Sequence, residues 1–232
     1  MLTFNYLSSM NSFEQGQVIL INKPLHWTSF DVVRKIRNLI RIKKVGHAGT
    51  LDPLATGLLI ICTGKFTKKI NEYMSQEKEY SGSFTLGATT PTYDLESEPQ
   101  HFKSLDGISQ QLIIDATKNF SGEILQTPPA HSAIKLEGKR VYELARKGKE
   151  VKLEPRKIFI KEFQISKIEL PVVDFKVVCS TGTYIRSLAN DFGAVLGCGA
   201  YLSRLCRERI GNFTLEQAMT IEEFEKSLEN NF

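Results

Sequence analysis

A mixed α+β fold, a mainly antiparallel sheet with flanking helices, is what this chain of 232 residues predicts. Three observations lead there. Strand-like alternation and helix-like periodicity are interspersed, without the regular strand–helix–strand repeat of a parallel sheet. Hydrophobic residues make up 41% of the chain, enough to fill a substantial core. The longest apolar runs, such as 57–62, are too short to span a bilayer, and no basic start with an apolar export core precedes them. A soluble, cytoplasmic protein is expected.

The elements follow in order. Residues 17–21, QVILI, read as a short buried strand ended by Asn22-Lys23-Pro24. Thr28 and Ser29 can then cap a helix, because Val32, Val33, Ile36, Leu39 and Ile40 fall at helical spacing. Its other face carries Arg34, Lys35, Arg37 and Arg41, and Lys43 and Lys44 follow. No acid occurs between Val32 and Leu51, so this face is a candidate nucleic-acid contact beside the plain reading of a solvated side. Residues 58–62 read as a strand, and 79–86 alternate with Tyr80, Gly82, Phe84 and Leu86 on one face. Residues 108–119 suit a helix, 158–168 and 172–180 suit two strands, and 183–196 suit a helix after a glycine turn. Thr220 with Glu223 forms a capping box for a short acidic C-terminal helix.

Charge is unevenly placed. Thirty basic and twenty-six acidic residues give a net charge of +4. Segment 135–157 holds nine basic and four acidic residues, a local net of +5, so the rest of the chain is slightly acidic. A localised basic patch with Tyr142 inside it has the character of an electrostatic footprint for a polyanion. The four cysteines form no CxxC pair and read as free thiols. They share no metal-ligand spacing with the four histidines, so no metal is expected. Nothing resembles a phosphate-binding loop or a dinucleotide fingerprint, so no cofactor is expected either.

The stretch GHAGTLDPLATG, residues 46–57, places one carboxylate in a sharply turned and apolar setting. Asp before Pro often only shapes a turn. Here Gly46, Gly49 and Gly57 permit close backbone approach, and Leu51, Leu54, Leu58 and Leu59 offer apolar surroundings. A carboxylate so placed needs a cation. None lies within four positions of Asp52, so its partner must come from elsewhere in the chain. The stretch STGTYIRSLANDFG, residues 180–193, offers one. Arg186 stands one turn into a helix, where the dipole disfavours a cation unless a carboxylate holds it.

Six blocks in order carry a resemblance over roughly residues 18–213: INKPLHWTSFDVVRKIR, KKVGHAGTLDPLATGLL, KEYSGSFTLGATTPTYD, QTPPAHSAIKLEGKRVYELARKG, STGTYIRSLANDFG and AYLSRLCRERIGNF. With them the chain resembles the TruB family of transfer-RNA pseudouridine synthases. That resemblance implies the pseudouridine synthase fold and isomerisation of uridine 55 in the T-loop. It implies Asp52 as catalytic nucleophile, Arg186 as its ion-pair partner and Tyr80 as the ring that stacks on the target base. His47 and Lys23 match positions near the RNA or the active-site wall, and Leu205 matches a residue packed under the site. Arg140 and Arg146 lie in the basic insertion, about 124–157, that would clamp the T-stem and loop. The ionised carboxylate serves as covalent nucleophile or as base at the ribose; both are open.

The implied protein is a monomer with one catalytic domain over 1–232, no cofactor and no protein partner. Two residues depart from the family pattern. His26 stands where Gly is usual, and His131 where an aromatic is usual; neither is expected to remove activity. The C-terminal RNA-binding domain of the PUA type that many relatives carry is expected to be absent, and five acids against one lysine follow Thr214. A non-catalytic tRNA-folding chaperone is the alternative. An aspartyl-phosphate enzyme fits less well, since that chemistry wants a second acid two positions on and residue 54 is Leu.

Overall fold

The computed structural model describes residues 12–130, 135–136, 139–140 and 153–229. Eleven strands are assigned in it. The first five are β1 (Val18–Lys23), β2 (Val45–Ala48), β3 (Ala55–Thr63), β4 (Lys78–Leu86) and β5 (Gly122–Gln126). The short β6 (Lys135–Leu136) and β7 (Lys139–Arg140) pair with each other. There follow β8 (Arg156–Glu169), β9 (Val172–Cys179), β10 (Ala200–Ile210) and β11 (Phe213–Thr214). The α-helices include α1 (Ser29–Ile40), α2 (Ile70–Met74), α3 (Gln110–Ala116), α4 (Ile185–Val195) and α5 (Ile221–Glu229). This is the mixed α+β architecture that the sequence predicts, with strand pairing mainly antiparallel.

Two compact units divide the chain: Met1–Tyr80 with Leu205–Phe232, and Ser81–Arg204. Strands β4 and β10 have residues in both. In the first unit β3 is central. It pairs antiparallel with β1 and β2, and parallel with β10 over Ala55–Gly57 against Leu205–Arg207. Both faces of β3 are covered. Leu59 and Ile61 join Ile19 and Ile21 of β1 under α1 and α5, which contribute Val32, Val33, Ile36, Ile40, Ile221 and Phe224. Leu58, Ile60 and Cys62 point the other way, into a cluster with Ala48, Tyr73 and Ile210. A strand buried on both sides reads as an unbroken apolar run, as 58–62 does.

Helix α1 begins as expected. Thr28 Oγ1 accepts from the Asp31 N–H at 3.0 Å, and the Asp31 carboxylate accepts from the Thr28 N–H at 3.0 Å. This is a capping box, with Asp in the place of Glu. The basic face of α1 is more occupied than the sequence suggests. Arg34 pairs with Asp31 at 2.9 Å and Lys35 with Glu225 of α5 at 3.0 Å, while Arg37 donates to the Val45 carbonyl at 3.4 Å. The acids come from the cap and from the C-terminal helix, both outside the acid-free window of the sequence. Arg34, Lys35 and Arg37, among the six expected contact cations, are thus already engaged within the unit.

In the second unit β5, β8 and β9 form antiparallel pairs, and β4 lies next to β9. Five aromatic rings make its centre: Phe84, Phe120, Phe163, Phe175 and Phe192. Phe84 stacks on Phe175 with ring centroids 4.1 Å apart, and Phe163 meets Phe84, Phe120, Phe175 and Phe192 at 5.6–6.2 Å. Such rings combine large apolar area with edge-to-face attraction.

His26 has a φ of +66°, in the left-handed region. Glycine adopts that region without strain. A non-glycine residue in this conformation carries strain of order 1 kcal/mol, partly offset because glycine loses more freedom on folding. His26→Gly is therefore expected to melt within about 3 °C of the parent chain, on the usual scaling of melting temperature with stability. A drop of more than twice that in a thermal melt would show that the exposed imidazole holds the turn. His131 lies outside the described residues.

Candidate active site

Five of the sequence-predicted site residues, Lys23, His47, Asp52, Tyr80 and Leu205, belong to the first unit. The turn that carries Asp52 runs from the end of β2 to the start of β3. Its backbone is tied down on both sides of the acid. The Ser29 hydroxyl, at the first position of α1, accepts from the Leu51 N–H at 2.8 Å and donates to the Leu51 carbonyl at 3.2 Å. The Pro53 carbonyl accepts from the His26 N–H at 2.8 Å. The Asp52 carbonyl accepts from the Ala55 N–H at 3.0 Å, closing the turn into β3. Asp52 itself is half-buried, with Leu51 and Ala55 buried beside it.

Lys23 is the last residue of β1 and is fully buried. Its ammonium donates to the carbonyls of Trp27 at 2.6 Å, Pro24 at 2.9 Å and Pro53 at 3.4 Å. The three donors of the ammonium thereby fasten the 24–27 turn to the residue after Asp52. Burial pushes the Lys23 pKa down to about 8 and the Arg207 cation adds to that, while the Asp52 carboxylate works in the opposite direction. Lys23 is thus one cation that the sequence reading required from a distant part of the chain.

A pH dependence follows. As pH rises past about 8, Lys23 loses the charge that faces Asp52. The sign for stability is opposite. The unfolded chain still binds that proton up to the ordinary lysine range, so from pH 8 upward Lys23 makes unfolding costlier. The turnover rate should therefore fall with a midpoint near 8 while the Lys23 contribution to stability rises. Single-turnover rates and thermal melts over the same pH series check this. A rate that stays flat through that range would remove Lys23 from the site's electrostatics.

Strand β10 supplies two inward residues. Leu205, buried, pairs with Ala55 in the parallel register, so it sits alongside the residue that ends the Asp52 turn. Arg207, two positions on, is only 1% exposed. Its Nε donates to the Leu58 carbonyl at 2.8 Å and its Nη2 to the Gly49 carbonyl at 3.1 Å. The sequence reading did not single out Arg207. It stands in a stretch with Arg204 and Arg209, and nothing in the pattern marks one as buried. His47, on β2, is half-buried. Burial first, and the Arg207 cation second, push its pKa below the ordinary histidine range. At neutral pH it offers a neutral imidazole, a hydrogen-bonding group in place of a phosphate-binding cation. Tyr80, in β4, is buried and follows the alternation predicted for 79–86.

Arg186 belongs to the second unit. The start of α4 has no cap from its own N-cap side chain; the Gln126 amide takes that place, accepting from the Tyr184 N–H at 2.8 Å and donating to the Tyr184 carbonyl at 3.1 Å. Arg186 lies one residue into this helix and is 5% exposed. Its Nη1 donates to the Thr92 carbonyl at 3.3 Å and its Nε is 3.6 Å from the buried Asp94 carboxylate. Residues 90–97 form a turn built around that acid. The Thr92 hydroxyl donates to the Asp94 carbonyl, and Asp94 Oδ1 accepts from the Glu96 N–H at 3.0 Å. The carboxylate expected for Arg186 was Asp52; the acid beside it within this unit is Asp94, which was not among the candidates although it too is an acid at a threonine- and proline-rich turn. Arg140 and Arg146 were expected to contact RNA; the Arg140 side chain and all of Arg146 lie outside the described residues, as does most of the basic segment.

Among the described residues no group of His, Cys, Asp and Glu is arranged to hold a metal ion, and no helix is long and apolar enough to cross a membrane. The four cysteines are not in disulfides, and burial pushes the Cys62 thiol up to about 11.

The geometry has close counterparts. The model for the TruB family pseudouridylate synthase N-terminal domain matches residues 37–185, and the one for the tRNA pseudouridylate synthase B C-terminal domain matches residues 186–231. A Flavobacterium johnsoniae protein named tRNA pseudouridine synthase B is 53% identical over 222 residues, covering 93% of this chain and 97% of that protein. A Parabacteroides distasonis protein of the same name is 50% identical over 225 residues, covering 94% and 96%. Among solved structures, a chain in the crystal structure of a Cbf5-Nop10-Gar1 complex is 29% identical with a TM-score of 0.73; the match spans 96% of this chain and 59% of that one. These matches define the chain as a member of the pseudouridine synthases, a class of isomerases. Within that class the chain belongs to the TruB family.

Proposed function

We propose that this chain isomerises uridine 55 in the T-loop of transfer RNA to pseudouridine, with Asp52 as the catalytic carboxylate. The observation that carries the reading is the Asp52 turn, whose backbone is held on both sides of the acid by the Ser29 hydroxyl, the Lys23 ammonium and the His26 N–H. A uridine inside a folded loop must leave the stack to be reached, and Tyr80 offers the aromatic face for it. The bond from C1′ to N1 breaks, the uracil turns, and C5 bonds to C1′ in its place. The proton on C5 is lost and N1 gains one, so no oxidant, phosphate donor or cofactor enters the balance. Asp52 acts at the ribose, as nucleophile or as base. Arg140 and Arg146, in the basic segment, grip the T-stem and loop by phosphate contacts. The reading takes the protein as a monomer with one catalytic domain, working in the cytoplasm.

Arg186 is proposed to keep the Asp52 carboxylate ionised and oriented. Its planar fork matches two acceptors at once, which an ammonium does not. Arg186→Lys should therefore lose about tenfold or more in turnover, as expected for a displaced charge partner at a site of this kind. Near parental single-turnover rates would leave charge alone as the requirement.

The deciding experiment is mass-spectrometric mapping of pseudouridine in an unmodified transfer-RNA transcript after incubation with the protein. One pseudouridine, at position 55, is the expected result. A transcript that is bound but left unmodified would favour the chaperone alternative.

A further inference from the structure

We propose that Arg207 is the positioning residue of the Asp52 turn: its guanidinium, reaching in from β10, bridges the carbonyls of Gly49 and Leu58 and so fixes the span that presents the carboxylate. The inference rests on the pseudouridine synthase reading of that site.

The two accepting carbonyls bracket Asp52 in sequence, three residues before it and six after. A single rigid, planar group therefore sets the distance between the two ends of the catalytic turn. Two glycines suit it. Gly49 has a φ of +90°, a backbone that glycine adopts without strain, and a Cβ there would meet Arg207 Nη1 at an ordinary contact distance of 3.5 Å. At Gly57 a Cβ would stand 2.4 Å from the Arg207 carbonyl oxygen and 2.6 Å from its nitrogen. The close backbone approach at Gly57 is what lets β10 pair with β3 in parallel and bring Arg207 under the turn.

The electrostatic setting agrees. A buried guanidinium is costly unless something repays its desolvation. Two carbonyl hydrogen bonds do part of that. Arg207 also acts on two other groups of this unit, the Lys23 ammonium and the His47 imidazole, and disfavours the charged form of both. Arg207 therefore supplies the lasting positive charge at a turn whose one acid is Asp52, while Lys23 beside it titrates near pH 8. A neutral side chain of similar shape would fill the volume and lose that field. Arg207 touches no reacting atom; it acts through Asp52.

The test compares Arg207→Lys with the parent chain. Lysine keeps the charge, but its single nitrogen cannot stand where both Nε and Nη2 of the arginine stand, so the spacing of the two carbonyls is no longer set by a rigid plane. Single-turnover pseudouridine formation in a transfer-RNA transcript is measured at saturating enzyme, with filter binding of the same RNA and a thermal melt on the same preparation. The expected result is a rate lower by about a hundredfold, the scale of loss when a reacting group is displaced by roughly an ångström, with the dissociation constant within about threefold of the parent. A folded Lys variant with a rate within threefold of the parent overturns the proposal. So does a loss of RNA affinity that matches the loss of rate, because a general defect in the fold would do that. If Arg207→Lys does not fold, Gly49→Ala decides. Alanine resists a φ of +90° and shifts the carbonyl that Arg207 holds. A slowed rate with intact binding then supports the bridge, and an unchanged rate overturns it. The parent chain, assayed alongside, reports on the pseudouridine reading itself. An inactive parent would reject that reading, whereas an active parent with an active Arg207→Lys rejects only the bridge.

Discussion

Asp52→Asn is expected to fold, to bind transfer RNA and to form no pseudouridine. The contacts that hold the turn come from Ser29, His26, Lys23 and Arg207, and each is made to a main-chain group of the turn. Asparagine has nearly the same volume and keeps the main-chain bond from the Ala55 N–H. It cannot attack carbon or take a proton as a carboxylate does. A loss of at least about a thousandfold is expected for a removed nucleophile or base. The Lys23 titration gives a second readout. Asp52 holds that pKa up, so in the Asn variant Lys23 should give up its proton below the parental value near 8. Single-turnover assays at saturating enzyme, filter binding and a thermal melt complete the set. A folded, RNA-binding Asn variant that still makes pseudouridine at a comparable rate would reduce Asp52 to a turn residue. Failure to fold would give the acid a structural task, and Asp52→Glu would then separate the two.

The local structure was legible where one physical signal dominated. The helix over Ser29–Ile40 announced itself by apolar spacing and by its cap, and α5 by Thr220 and Glu223, whose box forms with bonds of 2.8 and 3.1 Å. The alternation at 79–86 gave β4 and its buried face. What was missed shares a cause. Strand β2 is four residues long with a glycine in it, too short for a period to show. Strand β10 carries Arg204, Arg207 and Arg209, and charge in that number hides a strand. The structure shows why they are there. Arg209 pairs with Glu77 at 2.9 Å and Glu79 at 3.1 Å, while Arg207 is buried on carbonyls. Hydrophobic patterning cannot see a cation whose partners are backbone oxygens.

The candidate site divides in the same way. Asp52 was legible because a carboxylate between leucines, prolines and glycines contradicts its surroundings. Such local conflicts concentrate at functional positions. Its supports were not, because they depend on which distant elements converge. Lys23 was reached only through the resemblance; its three carbonyl contacts explain the choice of lysine at the end of β1. Asp94 needed the helix start of α4 to be packed against the 90–97 turn before it stood out.

Gly57, which ends the stretch around Asp52, should tolerate no side chain without loss. Gly57 has a φ of +103°, a backbone that side chains rarely adopt. A Cβ there would stand 2.4 Å from the Arg207 carbonyl oxygen, 2.6 Å from its nitrogen and 2.9 Å from Cys206 Sγ. Two of those three atoms are backbone, so no rotamer change relieves the overlap. Gly57→Ala must either push β10 away from β3 or distort the start of β3. The first breaks the pairing of Ala55–Gly57 with Leu205–Arg207 and withdraws Arg207 from the turn. The second bends a strand whose both faces are packed, with Leu58, Leu59, Ile60 and Ile61 fully buried. Overpacking of this kind costs roughly 1–3 kcal/mol, and the forbidden φ adds about 1–3 more. Against a total stability of about 5–15 kcal/mol, the melting temperature should fall by roughly 10 °C or more. Activity should fall further than stability at temperatures where the variant is still folded, because the same displacement loosens the Asp52 turn. Melts and single-turnover rates of purified Gly57→Ala check both parts. A variant that melts within a few degrees of the parent and turns over normally would mean that β3 and β10 can separate without cost, and that the bracketing of Asp52 by Arg207 is not what holds the site.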